Sequence, residues 1–537
     1  MRLYLTATTL LMALMVFGQN HHGVFITEFM ADPTPTIGLP AYEWIEIRNG
    51  SGQPVQLQNW RVGTSTALSG PLPFYWLPSD SLLVLCSTSA FPFLSSFGKT
   101  LAITSFPSLD NDGTTIWLRH PSGSTIHAVS YDKSWYSNSL KAEGGWSLEM
   151  VNPTWPCADK RNWKNSVQAR GGSPGSVNSV LDLQTELQLP TALHAYASVP
   201  DSLQIQFSAP IDSLWSVRPT LYTLNNTIEV STVRTIEPLH TMIACKLNRP
   251  LLADSIYSLT ITGINSCHAP DVGGSATLPT GLAVACKPQD VVINEILFNP
   301  RRGGSDFVEL LNTSKKVIDL SSLYITNRQT SGVLSNFVRL SATPRLLFPN
   351  EHAAFSSEPS LVMQQYLVSS PSRFLQTASF PSLPDEEGRL VLLHQQGDII
   401  DELAYSDNWH FPLLQDKEGV SLERIDPKGK TQWAANWHSA ARTEGFATPA
   451  RKNSQQLTNS ESENDFSVQP RLFSPNLDGH DDICTIRYKT EQPGTLVSIQ
   501  ILDAAGRLVR VLAARTLLGR SGQWHWDGRD QYGQLLA

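Results

Sequence analysis

The sequence predicts an all-β protein of tandem Ig-like β-sandwiches preceded by a signal peptide, and three observations carry that prediction. Short runs alternate apolar and polar residues at period 2, as at Val24 and Ile26 or Ile45 and Ile47, the signature of half-buried strands. Gly and Pro turn signals bound the runs, among them Asn111-Asp112-Gly113 and Pro121-Ser122-Gly123. Amphipathic helical spacing is missing from most of the chain. At 537 residues the chain exceeds one core and calls for roughly three to five domains of ~100–200 residues each. Charged residues make up 16%, the net charge is −8, and no stretch of sequence concentrates Lys and Arg. A nucleic-acid partner would require a basic stripe to neutralise phosphates, so that class is excluded, and so is a membrane-surface binder.

The first element is the signal peptide, assigned to residues 1–19. Arg2 supplies a positive start, an apolar run covers 3–17, and Gly18-Gln19-Asn20 brings a small residue and then polarity. The run is shorter than the ~20 residues a spanning helix needs. No Cys directly follows it, which argues against a lipid anchor, and the mature chain is expected to carry no transmembrane span.

A long-period repeat organises the remainder of the chain. Val24-Phe25-Ile26-Thr27-Glu28-Phe29 returns as Val291-Val292-Ile293-Asn294-Glu295-Ile296, and Glu43-Trp44-Ile45-Glu46-Ile47-Arg48-Asn49 as Asp306-Phe307-Val308-Glu309-Leu310-Leu311-Asn312. Ser105-Phe106-Pro107-Ser108-Leu109 recurs identically from Ser379 to Leu383. Trp135 and Trp409, Ser147-Leu148-Glu149 and Ser421-Leu422-Glu423, and Asn162-Trp163 and Asn436-Trp437 keep one constant offset. So long a period means duplicated domains rather than a solenoid. The expected order is a sandwich over 22–180, an Ig-like spacer over 183–286, a second sandwich over 288–455, a polar linker over 456–467, and a last Ig-like unit over 468–537.

The repeated unit resembles the lamin-tail domain, an Ig-like sandwich also found in exported bacterial proteins. Three stretches carry the resemblance in the first copy: Ile26-Thr27-Glu28, the strand Glu43 to Asn49, and the closing Asn162-Trp163 with Gly172-Ser173-Pro174-Gly175 and Asn178. The second copy departs from it with Asp306-Phe307-Val308 and with Ala447-Thr448-Pro449-Ala450. The spacer is similar to Ig-like domains of bacterial surface-layer proteins. The last unit resembles the hook-capping type of Ig-like domain, on Phe473-Ser474-Pro475-Asn476-Leu477-Asp478-Gly479 and Trp526-Asp527-Gly528-Arg529-Asp530. That family continues with Gly-x-Tyr and a final strand, so either the sequence is a fragment or the last domain is incomplete.

Candidate chemistry is sparse. No nucleophile elbow, zinc-protease helix or phosphate-cradling Gly loop is present in the sequence. Glu28 with Glu46, and Glu295 with Glu309, offer paired carboxylates for acid–base work. The alternative is that they are outward polar residues of alternating strands, and the sequence favours it. Asn476, Asp478, Asp481 and Asp482 crowd oxygen donors around a Gly, as a Ca²⁺ site would, or as an ordinary Asx turn would. Trp135, Trp146, Trp163, Trp409 and Trp437 are read as core or corner residues rather than sugar-stacking platforms. Six cysteines in an exported chain permit disulfides. Cys86 and Cys157 are both missing from the second copy, which suggests a bonded pair, with Cys267 and Cys286 a weaker second pair and Cys245 and Cys484 free.

The expectation is thus a non-enzymatic surface or extracellular protein for adhesion or scaffolding, without a bound cofactor unless Ca²⁺. Its partners would be a surface glycan or protein, with export machinery engaged through the C-terminal unit. The rival is a polysaccharide- or protein-binding module of an exported hydrolase or nuclease system.

Overall fold

Along the strand Trp44–Asn49, successive side chains enter opposite faces of a sheet, and both faces are covered. Ile45 and Ile47 join an apolar core with Ile26, Phe29, Leu83 and Leu85. Trp44 points the other way, into a smaller cluster with Met30, Val84, Cys86 and Leu94, where the short helix Phe91–Leu94 lies. Burial on both faces is why all seven positions of the strand Val24–Met30 are buried. The computed structural model describes residues 23–185, 188–225, 227–266, 273–456, 465–475 and 483–536. Over them the protein is nearly all β.

The first sandwich has a six-stranded sheet in the order Trp163–Asn165, Leu148–Met150, Val24–Met30, Trp44–Asn49, Leu82–Ser87, Thr100–Ile103. A three-stranded sheet of Arg61–Gly63, Gly113–Arg119 and Thr125–Asp132 supplies Val62, Ile116, Leu118 and Val129 to the shared core. The later sandwich repeats this plan. Its six strands run Trp437–Ser439, Leu422–Arg424, Val291–Leu297, Phe307–Asn312, His352–Ser356, Phe374–Gln376, against a four-stranded sheet. Each larger sheet ends in a parallel pair. Each also carries one irregularity at the same place, between Ile26 and Glu28 and between Ile293 and Glu295. Trp163 and Trp437 occupy matching short strands, each buried and each beside a second tryptophan, Trp135 or Trp409.

The described chain divides into two compact units. The first holds the first sandwich together with strands of the middle region, where Ser202–Phe207, Met242–Leu247 and Val230–Thr235 pair antiparallel. The second holds the later sandwich and the C-terminal strands, where Cys484–Lys489 pairs with both Asp465–Gln469 and Ser521–Trp526. Among the described residues no helix is long and apolar enough to cross a membrane.

The expected cysteine pairing is overturned. Cys157 is disulfide-bonded, but Cys86 is a free, buried thiol, as are Cys245, Cys286 and Cys484. Cys86 sits on the outer face of the six-stranded sheet, among Trp44, Val84 and Leu94. Cys157 lies in a loop whose adjoining residues Pro156 and Ala158 stand beside His127, Trp135 and Trp163, and Trp163 belongs to the core on the sheet's other face. The sheet separates the two side chains. The Cys267–Cys286 pair also fails, because Cys286 is a free thiol packed into the core of the second sandwich.

Candidate functional site

The strand alternation does send Glu28, Glu46 and Glu149 to the outer face of the sheet, yet none reaches water: each is 0% exposed. The outward placement favoured by the sequence holds, but that face is covered instead of open to water. Glu28 stands between the other two, paired across the sheet with Glu46 on one side and Glu149 on the other. The segment 172–180 closes over all three. Glu28 accepts from the Ser173 backbone N–H at 2.7 Å and the Ser147 hydroxyl at 2.6 Å. Glu46 accepts from the Gly175 N–H at 2.7 Å and the Thr27 hydroxyl at 2.8 Å. Glu149 accepts from the Ser179 hydroxyl at 2.8 Å and the Val180 N–H at 3.1 Å. The Asn178 amide completes the closure, donating to the carbonyls of Thr27 and Met150, each at 2.9 Å. We call this arrangement a clasp. Gly172 is required by close approach, since a Cβ there would lie 2.9 Å from both Leu39 and the Ser147 hydroxyl.

The second sandwich builds the same clasp from Glu295, Glu309 and Glu423, also 0% exposed. Thr448 donates its N–H to Glu295 at 2.8 Å, Ser454 and the Gln455 N–H hold Glu423 at 2.7 and 2.9 Å, and Asn453 bridges two carbonyls as Asn178 does. One corner differs. Glu309 is held by His352 and by the Asn294 amide, each at 2.8 Å, instead of by a turn N–H.

Three carboxylates in one dry space cannot all ionise. Burial, together with Glu46 and Glu149, holds the Glu28 pKa well above the usual carboxylate range, and burial pushes Glu46 up to about 7. Burial, Glu423 and Glu309 do the same to Glu295. The hydroxyl geometry suits a shared proton as well. Ser173 Oγ lies 3.0 Å from Glu28 Oε2 and 2.9 Å from Glu149 Oε1, but it has a single hydrogen to give. A proton on Glu28, whose pKa is raised, would let Ser173 accept from it and donate to Glu149. Thr448 Oγ1 repeats the bridge, 2.6 Å from Glu423 and 3.2 Å from Glu295. The arrangement fixes a chain segment. Its members are sealed from water and bonded to the protein's own backbone and side chains.

The sequence singled out four of the six glutamates as candidates. In the sequence Glu149 and Glu423 are marked only as repeat matches, and outside the family motif nothing local distinguishes the hydroxyl donors. Ser147-Leu148-Glu149 repeated as Ser421-Leu422-Glu423 was the available signal. The candidate Ca²⁺ loop at Asn476, Asp478, Asp481 and Asp482 lies outside the described residues, as do Cys267, the signal segment and most of the linker. Among the described residues no group of His, Cys, Asp and Glu could hold a metal ion.

Residues 18–133 match the model of the family described as Lamin Tail Domain. The match takes in Glu28 and Glu46 and stops short of Glu149 and the segment that closes over it. No curated protein matches the chain. Among solved structures it is similar to the N-terminal part of the bacterial S-layer protein SbsC, at 15% identity over 30% of this chain and 45% of that one, with a TM-score of 0.17. It is also similar to a DUF4876 family protein from Bacteroides thetaiotaomicron, at 12% identity over 38% of this chain and 89% of that one, with a TM-score of 0.20. For domains 1–6 of SbsC the identity is 9% over 64% of this chain and 63% of that one, with a TM-score of 0.17. The chain thus spans less than half of the first of these structures.

Proposed function

We propose that this is a non-catalytic, exported protein of the cell surface or extracellular space, serving adhesion or scaffolding through two lamin-tail-like sandwiches. The carrying observation is the pair of clasps. Both carboxylate sets that could have done acid–base chemistry are enclosed; five of the six glutamates hold a chain segment on the sheet, while Glu309 is held by His352 and Asn294. A buried carboxylate left without those donors would cost several kcal/mol, so the residues are accounted for by architecture. The lamin-tail match to 18–133 supports the reading for the first sandwich, and the shared strand order supports it for the second. In this reading the C-terminal unit is a hook-capping-type Ig-like domain that engages export machinery. Its 476–482 loop takes Ca²⁺, which at a hundredfold excess over Kd stabilises that domain by about 2.7 kcal/mol. A melting temperature indifferent to millimolar Ca²⁺ would count against the loop.

The test is to probe the full secreted chain against glycan and protein arrays, and in parallel against nuclease, glycosidase and esterase substrates. The reading expects saturable binding to one surface ligand and no turnover. Turnover abolished by Glu46→Gln or Glu309→Gln would overturn it and favour the accessory module of a hydrolase system.

A further inference from the structure

Within the second unit, Arg451, Lys452, Lys489 and Arg520 line one cavity of about 430 Å³. They come from separate elements: the closing segment of the second sandwich, the strand Cys484–Lys489, and the turn before Ser521–Trp526. Arg520 is 8% exposed and donates through Nη1 to the Thr490 carbonyl at 3.3 Å. Its Nε and Nη2 are closed off from water and have no hydrogen-bond partner. Arg451 binds Glu444 at 2.6 Å, while its own Nε is buried and unpartnered. Among the described residues, Glu444 stands in the cavity wall and Glu491 acts on Arg520.

A buried guanidinium hydrogen without an acceptor is destabilising, and such groups in a native fold commonly mark an unseen ion or water. Guanidinium forks match oxyanions, and ammonium groups add point charge. A tetrahedral oxyanion offers acceptor oxygens in several directions at once, which suits donors arriving from three elements. The chain as a whole carries a net charge of −8, so this gathering of cations runs against its average.

We propose that this cavity binds a phosphate- or sulfate-bearing group, held by Arg520 and Arg451 with Lys452 and Lys489 at its rim. The proposal is independent of the adhesion or scaffolding reading and can fail without it. The test is calorimetric titration of the full chain with inorganic phosphate, sulfate and glucose 1-phosphate at fixed ionic strength, with chloride as the control. One saturable site is expected, weakened about tenfold by Lys452→Gln or Lys489→Gln, the loss of roughly one charge-assisted hydrogen bond. Arg520→Met should abolish binding, with circular dichroism checking that the variant folds. The stronger of the phosphate and sulfate arms identifies the ester class. Three outcomes would overturn the proposal: no saturable heat with any of the three anions, chloride matching them, or both lysine variants binding as the parent does.

Discussion

At an offset of 274 residues, His127, Met150 and Cys157 of the first sandwich become Asp401, Arg424 and Thr431 of the second. The first residue of each set does one job. His127 Nδ1 accepts the Ile26 N–H at 3.3 Å, and Asp401 accepts the Ile293 N–H at 2.8 Å. The histidine does it neutral: its Nε2 lies 2.7 Å from the Pro156 carbonyl, and burial pushes its pKa down to about 4. An aspartate is charged, so the second sandwich adds Arg424, 0% exposed and 3.6 Å from Asp401, with the Thr431 hydroxyl at 2.5 Å. Breaking such a buried pair by removing one partner costs about 3–5 kcal/mol. Arg424→Met, which installs the first sandwich's residue, is therefore expected to lower the stability of its domain by that amount in urea unfolding. Adding Asp401→His should recover most of the loss. Equal losses in the single and double variants would show that the charge pair is not the cause.

At the scale of elements, the clasp explains why a segment without regular secondary structure closes each sandwich, and its protonation makes it pH-dependent. Glu46 has a folded pKa raised to about 7 from an ordinary 4.5. Its support is complete below the lower value and is lost as pH rises through the upper one, up to about 3 kcal/mol. Glu46→Gln keeps an acceptor for Gly175 and turns its amide toward Thr27. Its melting temperature should therefore gain on the parent's between about pH 5 and about pH 8; a constant difference would mean that Glu46 titrates normally. Ser173→Ala removes the bridging hydroxyl and is expected to cost about 1–3 kcal/mol. The turn in the clasp differs between copies. Gly175 has φ +73° and would meet Gly98 Cα at 2.5 Å with a Cβ, whereas Ala450 occupies the matching turn at φ 58°. A left-handed residue with a Cβ costs roughly 1–2 kcal/mol, so Ala450→Gly should stabilise by up to about 1 kcal/mol while Gly175→Ala destabilises. Both are read by denaturant midpoint at constant slope.

For the whole molecule, the thiols give the sharpest check. With Cys157 bonded and Cys86, Cys245, Cys286 and Cys484 free and buried, the native oxidised chain should resist alkylation. Denaturation without reductant should expose four reactive thiols. The pairing suggested by the sequence would leave two. Copy-to-copy comparison misled there because Cys86 and Cys157 vary for unrelated reasons: one fills an apolar cluster matched by Ser356, and the other belongs to the His127 set.

The sequence by itself determined the strand character, the duplication and the two faces of each strand, because period 2 and a constant offset are local or linear properties. It placed Glu28 and Glu46 on the side away from Ile45 and Ile47, and that side is where they are. What only the tertiary structure decided is what covers that side. The cover comes from residues more than a hundred positions away, through backbone N–H groups that every residue type but proline carries and no pattern distinguishes. The cavity of Arg451, Lys452, Lys489 and Arg520 was hidden for the same reason, since its charges are scattered in sequence and converge only when strands pair. Burial and desolvation are properties of that convergence, and they turn ordinary carboxylates into a buried clasp.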